Sequence, residues 1–115
     1  MNAVFVYGLL KPGQRLHHVI APFARSLALG TVPGRLFDAG VPAARFGDGG
    51  RIEGFVIELD RADEALRVLD ELEDEGTQYR RVRVRASTSD GEVEVYAYEY
   101  MRDTSGLPDV GWSWT

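Results

Sequence analysis

The stretch "VLDELEDEG", Val68 to Gly76, holds five carboxylates in the six residues from Asp70 to Glu75. Acids at the C-terminal end of a helix work against its partial negative charge, at a cost of about 0.3–1 kcal/mol each. One of them is out of pattern. On a wheel of roughly 100° per residue, with Ala62 at 0°, the apolar residues Ala65, Leu66, Val68, Leu69 and Leu72 form a stripe from about 240° through 0° to about 40°. Glu73 falls at about 20°, inside that stripe. A carboxylate among core residues resists ionisation, because burial disfavours the charge. The helix end and the neighbouring acids push the same way. A carboxyl group raised toward neutrality is suited to general base chemistry. A solvated Glu73 where the helix leaves the core, or one paired with Arg80 or Arg81, is the competing reading of the same wheel. Asp70, Glu71, Asp74 and Glu75 are expected to form a solvated face.

The second chemical candidate is the first loop. "NAVFVY", residues 2–7, reads as a strand, and "GLLKPGQ" follows, with Pro12-Gly13 as its turn. Gly8 lets the backbone bend close to a ligand, and amides freed at a strand end can cradle an oxyanion or carboxylate. It is not a nucleotide loop, because the second Gly-Lys-Ser/Thr arrangement is absent. A plain tight turn is the alternative. His17 and His18 are adjacent, so on a helix their side chains diverge, and they have no carboxylate at ligand spacing. No metal site is expected. No Gly-x-Ser-x-Gly elbow occurs.

The elements that must carry these groups are short. Residues 15–24 have a weak helical pattern interrupted by Pro22. "LALGTVPGRLFDAG" reads as a strand broken by Gly30, Pro33 and Gly34, with a turn near Asp38-Ala39-Gly40. "VPAARFGDGG" is loop-like, and 51–59 alternate as a strand. The helix runs from Arg61 to about Glu75, with Asp60 as N-cap and Gly76 as its left-handed stop. "YRRVRVRAS" is a half-buried strand with Arg81, Arg83 and Arg85 facing solvent. A turn at Asp90-Gly91 leads into "EVEVYAYEYM", where Tyr96, Tyr98 and Tyr100 share a face that suits core packing or a pocket wall. The tail carries Trp112 and Trp114. Strands with many Gly and Pro breaks, one firm helix and a terminal hairpin predict a small α+β domain with a curled or barrel-like sheet.

The chain has 115 residues, a size for one domain over 1–115, and no cysteine, which removes disulfides and thiolate chemistry. Hydrophobic residues make up 44% and charged residues 27%, a globular balance. A net charge of −5 argues against nucleic acid as partner. No apolar run approaches a membrane span and no signal peptide is visible, so a cytoplasmic protein without membrane contact is expected. The oligomeric state is open.

Taken in order, "VFVYGLLKPG", "GRLFDAGVPAA", "IEGFVIEL", "LDELEDEGTQYRRVRVRA" and "VGWSW" resemble the γ-glutamylcyclotransferase-like, or AIG2-like, family almost end to end. That resemblance implies a mixed α/β domain around a closed or partly open β-barrel. It implies intramolecular acyl transfer, in which the α-amine of a γ-glutamyl amide attacks its own side-chain carbonyl and releases 5-oxoproline and an amine, without a cofactor. It implies Glu73 as general base, a Tyr-Gly loop placing Tyr7, Gly8, Leu9 and Leu10 at the substrate, and Tyr79 on the pocket wall. Three positions depart from the pattern. Leu9 replaces a Thr or Ser, Asp74 stands where Gly often follows the Glu, and Phe37 replaces a Tyr. A non-catalytic binding module of the same fold is the alternative, and a partner docked on the tryptophan tail is a third.

Overall fold

The computed structural model describes residues 2–115, with every side chain among them except that of Asp48. The first strand, β1 (Ala3–Val6), is a continuous apolar run and is buried along its whole length. Such a run needs cover on both faces. A short helix, α1 (His17–Ile20), passes into a single 3₁₀ turn at Ala21–Phe23, where Pro22 ends the α-helical bonding. Two long strands follow, β2 (Ala24–Asp38) and β3 (Pro42–Leu59). After the main helix, α2 (Ala62–Leu72), come β4 (Tyr79–Thr88) and β5 (Gly91–Tyr100). The five strands close into a barrel in the order β1-β3-β2-β4-β5. The β1–β5 seam is parallel at Val4–Tyr96, and the β2–β4 seam holds two pairs, Gly30–Thr88 and Thr31–Ser87. The expected α+β barrel with one main helix is the architecture found.

Two core clusters explain why β1 and the second half of β5, from Val95 onward, are covered on both faces. Phe5, Val32, Ile52, Val95 and Ala97 meet inside the ring. Val4, Val6, Ile57, Tyr98 and Tyr100 face outward and are covered by Ala65, Leu66 and Leu69 of α2. Alternation along a strand sends neighbouring residues to these two clusters. Helix α2 therefore lies on the outside of the barrel wall, and its C-terminal end arrives beside the end of β1.

Several local expectations are corrected. β2 is not broken at Gly30, Pro33 or Gly34, and "VPAARFGDGG" is not a plain loop. Pro42 to Phe46 pair with Asp38 to Gly34, and the register then jumps from Phe46 to Arg51. Residues 47–50 are the excess, a bulge opposite Pro33-Gly34. Proline is tolerated in a sheet where the ladder is interrupted in this way. A side chain at 34 would place its Cβ 2.5 Å from Arg45 O, so glycine lets the two strands close up. The hairpin turn of β4 and β5 lies one residue earlier than expected, at Ser89-Asp90, with Thr88 paired to Gly91. The hydroxyl of Thr88 donates to Gly91 O and accepts from Asp90 N, which holds that register.

The ends of α2 also differ. Arg61, not Asp60, is the N-cap, in a left-handed conformation (φ 49°) with no side-chain cap. Asp60 N is committed to Phe23 O at 2.7 Å, and the Arg61 guanidinium lies over the Phe23 ring and pairs with Glu64. Tertiary contacts thus replace the local cap. The helix stops at Leu72, and Asp74 (φ 52°) takes the left-handed position ahead of Gly76. Aspartate tolerates that conformation better than most residues with a Cβ. The tail is laid against the barrel: Val110 N donates to Leu36 O, Glu53 N to Trp112 O, and Lys11 Nζ to Trp114 O. Trp114 packs on the inner cluster, while Trp112 stays half-exposed under the Arg51 guanidinium. Among the described residues no helix is long and apolar enough to cross a membrane.

Candidate active site

β1 delivers the chain to Tyr7, whose side chain is buried and whose hydroxyl donates to Tyr98 O at 2.6 Å. The backbone then turns at Gly8. A Cβ there would meet the Pro42 ring at 2.5 and 2.7 Å, so the loop touches β3 only because residue 8 has no side chain. Lys11 N donates to Gly8 O at 3.1 Å, and Leu16 N to Leu9 O at 3.0 Å, which folds residues 8–16 back on themselves. Within that loop, among the described residues, the amides of Gly8, Leu9 and Leu10 have no backbone acceptor. The two histidines brace it, with His17 Nδ1–H on Leu10 O and His18 Nδ1–H on Arg15 O. No cluster of three or more metal-ligating side chains occurs among the described residues.

Beside this loop is a cavity of about 160 Å³. Tyr7, Gly8, Leu9, Leu10, Glu73 and Tyr79, the six residues singled out in the sequence, all line it. Glu73 is the C-cap of α2, half-buried, with its amide still bonded to Leu69 O. The arginines offered as its partners are taken elsewhere: Arg80 pairs with Glu99 and Arg81 with Asp70. The Glu73 carboxylate has no ion-pair partner among the described residues, and none of its oxygens is sealed without a partner, so it opens to the cavity. Burial raises its pKa from 4.5 to about 7. Desolvation is the cause; of the neighbouring acids, Glu71, Asp74 and Glu75 are exposed.

Three phenols surround this carboxyl. The Tyr7 hydroxyl is raised well above its ordinary value by burial, then by the charges of Tyr79 and Glu73. Burial and then Glu73 do the same to Tyr79, whose hydroxyl donates to Pro42 O. Tyr98 is raised by burial and then by its hydrogen bond to Asp70 Oδ1 at 2.6 Å. All three stay protonated near neutral pH and act as neutral donors.

Sequence reasoning missed part of this arrangement. Asp70 is not in the solvated acid face: it is half-buried between Tyr98 and Arg81. Its wheel position, about 40° beyond the apolar stripe, was the available signal. Arg81 accordingly turns to Asp70 and over the Tyr96 ring, unlike the exposed Arg83 and Arg85. Leu72, assigned to the buried stripe, is 38% exposed and lines the cavity instead. Arg15, Gln78, Val41 and Pro42 also reach it, and nothing in their local sequence marks them.

A small closed barrel carries one unpaired carboxyl group, raised toward neutrality by burial, in a phenol-lined cavity next to unengaged backbone amides, an arrangement with room for a small polar ligand and a group chemically able to accept a proton. The sequence profile described as "Gamma-glutamyl cyclotransferase, AIG2-like" matches residues 4–114, and the chain belongs to that family. No curated protein matches the chain in sequence. Among solved structures it is similar to YkqA of Bacillus subtilis, at 28% identity and a TM-score of 0.77, over 96% of this chain and 39% of that one. The chain thus spans about two fifths of YkqA. It is also similar to an AIG2-like protein of the mouse (26% identity, TM-score 0.77, 95% of this chain and 85% of that one). A third likeness is to the protein PH0828 of Pyrococcus horikoshii (27%, TM-score 0.73, 97% and 89%).

Proposed function

We propose that the protein is a γ-glutamylcyclotransferase-like enzyme with Glu73 as general base. The observation that carries this is the Glu73 carboxyl group, unpaired in the cavity and raised to about 7 by burial. Membership of the family supports it.

The α-ammonium group of a γ-glutamyl amide cannot attack until it loses a proton, and Glu73 accepts that proton. The freed nitrogen adds to the γ-carbonyl carbon and closes a five-membered ring. The carbonyl oxygen gains the negative charge, and the unengaged amides of Gly8 and Leu9 are the candidate donors to it. The bond to the leaving nitrogen then breaks. Two protons leave the α-nitrogen in all, and two arrive on the departing amine through Glu73. The products are 5-oxoproline and that amine. Every bond made and broken lies within the substrate, so the cavity contributes chiefly by enforcing the ring-closing conformer. The neutral hydroxyls of Tyr7 and Tyr79 and the backbone of Leu10 complete its walls. No cofactor enters the balance.

A second reading follows from Leu9. It lines the cavity where family members carry a hydroxyl, so the pocket lacks a side-chain donor there. Without it the cavity could hold a γ-glutamyl compound and not turn it over. The test is 5-oxoproline release by the purified protein over a panel of γ-glutamyl amino acids, γ-glutamyl-ε-lysine, γ-glutamyl alkylamines and glutathione. A general base contributes about 10²- to 10⁴-fold, and Glu73→Gln is expected to lose that much turnover while remaining folded. Near-normal turnover in the variant removes Glu73 from the mechanism. Binding without release in the wild type selects the second reading.

A further inference from the structure

Two residues with full charge line the cavity, Glu73 and Arg15. They sit at different depths. Glu73 is half-buried, and Arg15 is exposed. Of the twelve arginines, six (Arg35, Arg61, Arg80, Arg81, Arg83 and Arg85) have a carboxylate partner, and of the other six Arg15 is the one that lines this cavity. Arg15 has no carboxylate partner among the described residues. Its backbone is nonetheless held on both sides, by Gln14 N on Lys11 O and Leu16 N on Leu9 O, each at 3.0 Å, and by His18 Nδ1–H on its own carbonyl. A cation whose backbone is anchored at the mouth of a cavity, and whose guanidinium has no partner among the described residues, is available to a ligand.

We propose that Arg15 selects the leaving group: it favours γ-glutamyl compounds whose leaving amine carries a carboxylate over those that release a neutral or cationic amine. This rests on the cyclotransferase reading for the identity of the ligand. The enclosed volume of about 160 Å³ is below the roughly 300 Å³ at which pockets begin to enclose larger ligands. Only the glutamyl portion is housed. Its α-nitrogen must reach Glu73, so that end lies deep and the γ-amide nitrogen points outward. The leaving group then emerges at the rim, between exposed Leu72, half-buried Gln78 and Arg15. Leu72 offers apolar contact, and a guanidinium matches a carboxylate with two parallel hydrogen bonds. The same charge repels a leaving group with a free ammonium.

The experiment measures affinity for three ligands that share the glutamyl head: γ-glutamylglycine, γ-glutamylglycinamide and γ-glutamylputrescine. Calorimetry uses the Glu73→Gln protein, so turnover does not interfere, and kcat/KM is measured beside it on the wild type. A preference of about tenfold or more for γ-glutamylglycine over the amide is expected, as for a charge-assisted pair. It should vanish in Arg15→Ala, survive largely in Arg15→Lys, and shrink as salt rises. Equal affinity for the three ligands, binding of none of them, or a preference untouched by Arg15→Ala overturns the proposal. So does an Arg15→Ala variant that weakens all three alike, since that places Arg15 on the α-carboxylate common to them. Failure of the cyclotransferase reading looks different: no 5-oxoproline from any ligand, with the binding preference intact.

Discussion

Replacing Glu73 by Gln should make the protein more stable, and only at the pH where the enzyme would work. Folding raises the carboxyl pKa from 4.5 to about 7. The folded state therefore holds this proton where the unfolded state has released it. Below pH 4.5 both states are protonated and the burial costs little. Between 4.5 and 7 the unfolded chain ionises first, so stability falls as pH rises. Above about 7 both are ionised and the full cost is present. A rise from 4.5 to about 7 corresponds to about 3.4 kcal/mol at 1.36 kcal/mol per pH unit. The carboxylate opens to the cavity, where solvent screens it, so about 1–2 kcal/mol is the expected gain. Urea unfolding of both proteins at half-unit steps from pH 4 to pH 8 measures it. The two stability curves should converge toward pH 4 and separate above pH 6, with Glu73→Gln on top. Curves that stay parallel across that range refute the reasoning, because they mean Glu73 is as well solvated folded as unfolded.

Three further outcomes follow. The acidic limb of kcat/KM for 5-oxoproline release should bend near pH 7, not near 4.5, since activity needs Glu73 ionised; a rate profile flat down to pH 5 contradicts the assigned base. Gly8→Ala drives a Cβ to 2.5 Å from the Pro42 ring, and overpacking of this kind costs about 1–3 kcal/mol; a lower melting temperature and weaker ligand binding are expected, and an unchanged protein would mean the loop can move away freely. Tyr98→Phe removes the hydroxyl that donates to Asp70 at 2.6 Å but keeps the backbone carbonyl that accepts from Tyr7; a loss of about 1–2 kcal/mol in chemical denaturation is expected, with a near-zero change showing that Arg81 alone satisfies Asp70.

The catalytic candidate was legible because a helix has one dominant period. Leu66, Leu69 and Glu73 are spaced so that any regular helix brings them to one face, and the fold only had to bury that face. Tyr7-Gly8 was legible for a similar reason: an apolar strand must end where a glycine and a Pro-Gly turn follow. The β2–β3 hairpin was misread because glycine and proline are strand breakers in isolation, while here the break is confined to residues 47–50 of one strand and the ladder resumes beyond it. The N-cap was misread because Asp60 is drawn to Phe23 O, a contact 37 residues away in sequence.

By itself, then, the sequence determined the kind of domain, the helix that carries the acid, and the one acid out of place, since all three depend on spacing along the chain. What only the tertiary structure decided is which side chains share the cavity. Pro42 from the β2–β3 hairpin, Tyr98 from the last strand, Gln78 after the helix and Arg15 from the first loop are separated by tens of residues and meet because the strands close into a ring. The pKa of Glu73 belongs to the same level. A wheel says which way a carboxylate points; how much water it keeps depends on the loop and phenols that share its cavity, and burial among them raises it to about 7.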